Sequence, residues 1–170
     1  MMANTRRAIG ISVHTGWAAA VVVGGSMAKP EIVVNEVIRI LPDSERFCFH
    51  MAAEMNRSEA ATWIAHVRRK AVTNAKLALA QLVAKSPSVC ALVAKDHDAG
   101  RLEDILRSHP RIHMAEGCFY RDVLRDACKI PVKVVPPSSL DPSKVGKLAA
   151  PPWGRDQRLA ALAAWTAMKS

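Results

Sequence analysis

Histidines and cysteines are the side chains in this chain that most readily do chemistry by spacing alone. His109 and His113 stand four residues apart around Pro110, an interval that puts two side chains on one helical face. Imidazole nitrogens so placed suit a metal. Glu116 lies three residues further on and joins that face only if the helix expected from Glu116 begins earlier. The plain reading, polar residues around a proline, competes with it, and no metal site is assigned. Cys48, Cys90, Cys118 and Cys128 include no C-x-x-C pair and no metal-finger spacing. Cys90 falls in an apolar run, and Cys118 and Cys128 fall on one expected helix, where free cysteine packs as a small hydrophobe. This usage points to a reducing, cytoplasmic setting. No G-x-S-x-G elbow, phosphate-binding loop, dinucleotide fingerprint or H-E-x-x-H is present, which removes the usual evidence for those reactions.

The charge balance points to a partner class. Twenty-four Lys and Arg against 15 Asp and Glu give a net charge of +9, an excess that favours polyanions such as nucleic acid or an acidic protein surface. The densest clusters are Arg6-Arg7 and Arg68-Arg69-Lys70. Basic residues so placed supply a salt-dependent, largely sequence-independent attraction. A solvated helix face explains the second cluster equally simply.

The elements that position these residues follow from periodicity. Half of the 170 residues are hydrophobic, enough for one packed domain over 1–170. Ala8 to Val23, closed by Gly24-Gly25, reads as two strands around a turn at His14-Thr15-Gly16. Glu31–Ile40 is a third strand, ended by Leu41-Pro42. Phe47–Met51 is an apolar patch, read as a loop or short strand over a sheet edge. Asn56 with Glu59 three residues later forms a capping box. It opens a helix to about Lys85 whose apolar face includes Ala60, Trp63, Ile64, Val67, Ala71 and Ala75. Val89–Ala94 is a continuous apolar run, as expected of a central parallel strand. A short helix spans Arg101–Ser108, stopped at His109-Pro110, and another runs from Glu116 to Lys129. Pro131–Val135 is a fifth strand, 138–150 a polar connection with helical pieces, and Asp156–Met168 a final Ala/Leu-rich helix. Arg6-Arg7, the apolar stretch and Ser26-Met27-Ala28 have the outline of a secretory signal. His14-Thr15-Gly16 interrupts it, and no run is long enough to span a membrane.

This order, β-β-β-α-β-α-β-α, implies an α/β protein with a mixed five-stranded sheet and helices on its faces. The plan resembles the ribonuclease H-like fold, shared by ribonuclease H, the RuvC resolvases and release-factor middle domains. The opening Ile9-Gly10-Ile11-Ser12, followed by Thr15-Gly16-Trp17-Ala18, resembles the RuvC-type I-G-I-D start and its T-G-W/Y-A. The closing Pro151-Pro152-Trp153-Gly154-Arg155-Asp156-Gln157 resembles an uncharacterised bacterial family. Nucleases of this fold use a carboxylate cluster to hold two divalent cations around a phosphodiester. The resemblance places the first-strand carboxylate at Ser12, which carries no such charge. It places acidic residues at Asp96, beside His97 and Asp98, and at Asp156.

Two functions follow as expectations. The first is a non-catalytic domain that binds a polyanion or a partner protein through Arg6, Arg7, Arg68, Arg69 and Lys70, without a cofactor. The second is a metal-dependent phosphodiesterase using Asp96 and Asp156 with Mg²⁺. The plain readings stand beside them: Asp156 as a helix cap, Asp96-His97-Asp98 as a solvated loop, His14 as a turn residue. An alanine-rich last helix also suits a homo-oligomer.

Overall fold

The computed structural model describes residues 6–169; residues 1–5 and 170 of the expected domain lie outside the described residues. Five strands build one sheet: β1 (Ala8–Val13), β2 (Trp17–Gly25), β3 (Pro30–Arg39), β4 (Val89–Val93) and β5 (Val132–Val135). Their order is β3-β2-β1-β4-β5. β1 pairs antiparallel with β2, and β2 with β3, while β4 runs parallel to both β1 and β5. The expected mixed sheet is thus present. Among the described residues, the α-helices are α1 (Cys48–Ala53), α2 (Arg57–Val83), α3 (Leu102–Leu106), α4 (His109–Ala127) and α5 (Arg155–Ala167).

Strand alternation sorts β1 between two cores. Ile9 and Ile11 face α2 and α4, where they join Val67, Ala71, Tyr120 and Leu124. Ala8 points to the opposite face, which α5 covers with Ala160, Ala163, Ala164 and Ala167. A side chain at Gly10 would overlap the carbonyl oxygen of Ala160. Glycine in the middle of this strand therefore lets the helix backbone lie directly on the sheet. At the β1–β2 turn, Gly16 has φ +86°, a left-handed conformation that glycine adopts without strain.

The α2 capping box forms as expected. Asn56 Oδ1 accepts the Glu59 N–H at 3.0 Å, and Glu59 Oε2 accepts the Asn56 N–H at 3.4 Å. Two segments differ from the sequence reading. Phe47–Met51 is neither loop nor strand, for Cys48–Ala53 is helical. Its N-cap Phe47 offers no capping side chain, which is why no local signal marked a start. The short helix does end before His109-Pro110, at Leu106, but His109-Pro110 opens α4, placing proline in the first turn, where the missing N–H costs nothing. The helix expected from Glu116 thus begins seven residues earlier. The polar connection after β5 contains two short 3₁₀ turns, Pro137–Ser139 and Pro142–Lys144.

Candidate functional site

β1 and β4 are parallel neighbours, so their carboxyl ends open on the same side of the sheet, the usual place for a ligand crevice in such a layer. A cleft of about 530 Å³ lies there. β1 contributes Ser12 and the following His14, the β4 continuation Lys95 and His97, α4 His113 and Cys118, and α5 Arg155 and Asp156.

The meeting of Ser12 with Asp156 follows from the packing at Gly10. Two strand residues advance about 6.6 Å and one helical turn about 5.4 Å. Moving from Gly10 to Ser12 along β1 and back one turn from Ala160 to Asp156 along α5 therefore ends at the same point. Ser12, only 4% exposed, donates its hydroxyl to Asp156 Oδ1 at 3.4 Å. His14, two residues further on the same side, places Nε2 3.0 Å from the same oxygen. The contact is out of line for a hydrogen bond, and Nε2, itself buried, has no hydrogen-bond partner. The His14 ring stacks on Trp17, with centroids 4.2 Å apart and planes 8° from parallel. Asp156 thus faces a hydroxyl and an imidazole where a second carboxylate would stand in a two-cation site.

Asp96 and Asp156 line different clefts. Lys95 turns into the cleft with Asp156, and Asp96 turns out into a shallow neighbour lined by Arg68, Asp98, Arg121, Asp122, Arg125 and Asp126; among the described residues only His97 lines both. Asp96 lies 3.9 Å from Arg121 and 3.8 Å from Arg125. Asp98 accepts the Gly100 N–H in a local turn.

Arg121 positions this segment, and nothing in the sequence singled it out. Its guanidinium, 6% exposed, donates to the carbonyls of Lys95 at 2.9 Å and His97 at 2.7 Å. Its Nε donates to Asp122 at 2.9 Å. Cys118 adds a weaker S–H bond to the His97 carbonyl, and burial pushes its thiol pKa up. The two backbone bonds aim Lys95 and His97 at the cleft.

The basic clusters are spread over the surface. Arg6 donates to the Met168 carbonyl at 3.5 Å and Arg7 to the Lys85 carbonyl at 2.7 Å. Arg68 pairs with Asp126, and Lys70 with Glu45 at 2.7 Å. Arg69 lies exposed on α2 beside Ser58, Thr62, Trp63 and His66. None of the five lines the cleft between β1 and β4.

A second constellation lies where α1 meets α4. His109 and His113 approach each other Nε2 to Nε2 at 2.9 Å. The His50 ring packs against both, with centroids 5.3 and 4.7 Å away. Behind them Glu116, 2% exposed, supplies the cap that α1 lacks. Its Oε1 accepts the N–H groups of Phe49 and His50 at 3.0 and 3.3 Å. It also lies 3.1 Å from His50 Nδ1. Burial pushes the Glu116 carboxyl upward in pKa, and these bonds pull it partly back.

No family model matches this chain, and no curated protein sequence matches it. Among solved structures it is similar to Thermus thermophilus RuvC in complex with a Holliday junction substrate, with a TM-score of 0.57 and 13% identity. That match covers 96% of this chain and 93% of the other. A second Thermus thermophilus RuvC structure matches with a TM-score of 0.50 and 14% identity over 95% and 93% of the two chains. At these identities the likeness is one of fold, and it agrees with the ribonuclease H-like plan.

Proposed function

We propose that this chain is a non-catalytic ribonuclease H-like domain that binds nucleic acid as a polyanion in the cleft at the carboxyl ends of β1 and β4. One observation carries the reading: Asp156 is the only carboxylate among the described residues lining that cleft, where Lys95 and Arg155 are also present. A two-cation phosphodiesterase needs several oxygen ligands around its ions. Phosphate oxygens instead need cations and donors, which Lys95, Arg155 and the first turn of α5 supply. The solved RuvC bound to a Holliday junction supports nucleic acid as the polyanion class. The Arg68 and Lys70 ion pairs favour the cleft over the α2 surface as the primary contact.

The other reading, a metal-dependent phosphodiesterase, needs Asp96 and Asp156 around shared cations, and their separate clefts disfavour it. Filter binding against DNA and RNA at low and moderate salt, with a cleavage assay in Mg²⁺ or Mn²⁺, tests the proposal. Binding that falls steeply with salt and no cleavage is the expected outcome. Absence of binding at low salt, or cleavage abolished by Asp96→Asn and Asp156→Asn, overturns it.

A further inference from the structure

We infer that His50, His109 and His113 form a binding site for one divalent cation of the zinc class, with Glu116 as the residue that orients it. The three side chains bring ligand nitrogens within 4.8 Å of one another. Two ligands of a tetrahedral zinc ion, each at about 2.0–2.1 Å, stand roughly 3.3 Å apart, so small side-chain rotations bring the three nitrogens onto one ion. An all-imidazole set suits Zn²⁺, Co²⁺, Ni²⁺ or Cu²⁺ and is poor for Mg²⁺ or Ca²⁺, which prefer oxygen.

The tautomer of His50 is what distinguishes this cluster from an ordinary contact between helices. Glu116 Oε1 already accepts two backbone N–H groups, so it acts as acceptor toward His50 Nδ1 as well. The Nδ1 proton is thereby fixed, and the Nε2 lone pair is left for a ligand. A carboxylate bonded to the far nitrogen of an imidazole is the usual support of a metal-binding histidine. Backbone geometry completes the arrangement. His109 and His113 share one face of α4, and the α1 turn that carries His50 is held to α4 by Glu116 itself. Three protein ligands leave a fourth position for water or an anion. His113 also lines the cleft that holds Asp156, so the cation would sit at its rim, but the inference stands whether or not the cleft binds nucleic acid.

Titration of the untagged, metal-free protein with Co²⁺, followed by visible absorption, and with Zn²⁺, followed by calorimetry, tests it. One ion per chain is expected. His109→Ala and His113→Ala alter exposed side chains, so both variants keep the fold, and each lowers affinity by at least about tenfold. Glu116→Gln keeps an acceptor for the α1 amides and lowers affinity about 10- to 100-fold. His66→Ala, on α2 and outside the cluster, leaves affinity unchanged. Because the ion links α1 to α4, zinc at a hundredfold excess over its Kd raises Tm by about 5–10 °C in the parent and not in His109→Ala. No saturable binding up to millimolar cation, unchanged binding in both histidine variants, or equal loss in His66→Ala overturns the inference.

Discussion

Ser12 Oγ stands 3.4 Å from Asp156 Oδ1, a hydroxyl facing a carboxylate at the point where β1 runs out beneath the first turn of α5. The pairing satisfies a nearly buried serine and gives Asp156 a neutral neighbour. Two carboxylates here would repel, and one would take up a proton unless a cation lay between them.

Ser12→Asp therefore lowers stability at neutral pH by about 1–3 kcal/mol. The sign of its pH dependence follows from the pair. The folded state holds a proton that the unfolded chain releases, so the deficit shrinks as pH falls toward the carboxylate range. Mg²⁺ or Mn²⁺ raises the Tm of Ser12→Asp more than that of the parent. Urea unfolding at several pH values and thermal melts with either ion read both effects. A deficit that does not change with pH contradicts the pairing.

Gly10 sets how closely α5 approaches the sheet, and with it the register that joins Ser12 to Asp156. Gly10→Ala puts a methyl group into the Ala160 carbonyl and costs about 3 kcal/mol or more. Gly100→Ala meets no neighbouring atom, and only the +86° φ of Gly100 opposes it, at about 1 kcal/mol. Equilibrium denaturation of the two variants compares close approach with backbone strain.

Arg121 clamps the chain beyond β4 by its bonds to the Lys95 and His97 carbonyls. Arg121→Ala leaves the Lys95 carbonyl without its donor and the His97 carbonyl with only the weak Cys118 bond, while Asp122 keeps Arg125 at 3.6 Å, and it costs about 1–3 kcal/mol. Arg121→Lys keeps the charge but not the fork of donors, and it recovers only part of the loss. Denaturant midpoints give the stabilities. Hydrogen exchange of the segment around Lys95 shows whether the loss is local.

Cys128 differs from the other cysteines. The Cys90 thiol donates to it and draws its pKa down to about 6, despite opposing burial. Burial raises Cys48 and Cys118, and Cys90 is raised chiefly by its bond to Cys128. Thiolate is the reactive form, so Cys128 is alkylated first at pH 7. Cys90→Ala removes the donor, raises the Cys128 pKa and slows that reaction. Iodoacetamide labelling read by peptide mass spectrometry checks the order.

The sheet was legible because its residues carry their own signals. β1 to β3 are β-branched runs broken by turn residues, and the capping box of Asn56 and Glu59 announces α2. The end of β1 just after Ser12 and the start of α5 near Asp156 could also be placed from local pattern. What local pattern does not carry is pairing across the chain. α1 has no cap of its own, because Glu116, 67 residues from Phe49, supplies it, so Phe47–Met51 carries no local helix-start signal and reads as loop or strand. His109 and His113 were visible as a spaced pair, but His50 joins them only through that long-range cap. Pro110 carries opposite meanings at the end and in the first turn of a helix, and the sequence around it favours neither strongly. Arg121 is one arginine among many until its bonds to β4's continuation are seen.

The cleft between β1 and β4 is the anion-binding surface proposed for this chain. The most direct test is the affinity of Lys95→Glu for single- and double-stranded DNA and for RNA at low salt, beside Arg69→Glu, exposed on α2 and outside the cleft, with the salt slope of each. Lys95→Glu is expected to weaken binding by about tenfold or more and to lower the slope by about 1, while Arg69→Glu changes affinity by less than about threefold. Equal losses in the two variants, or a larger loss in Arg69→Glu, would contradict it.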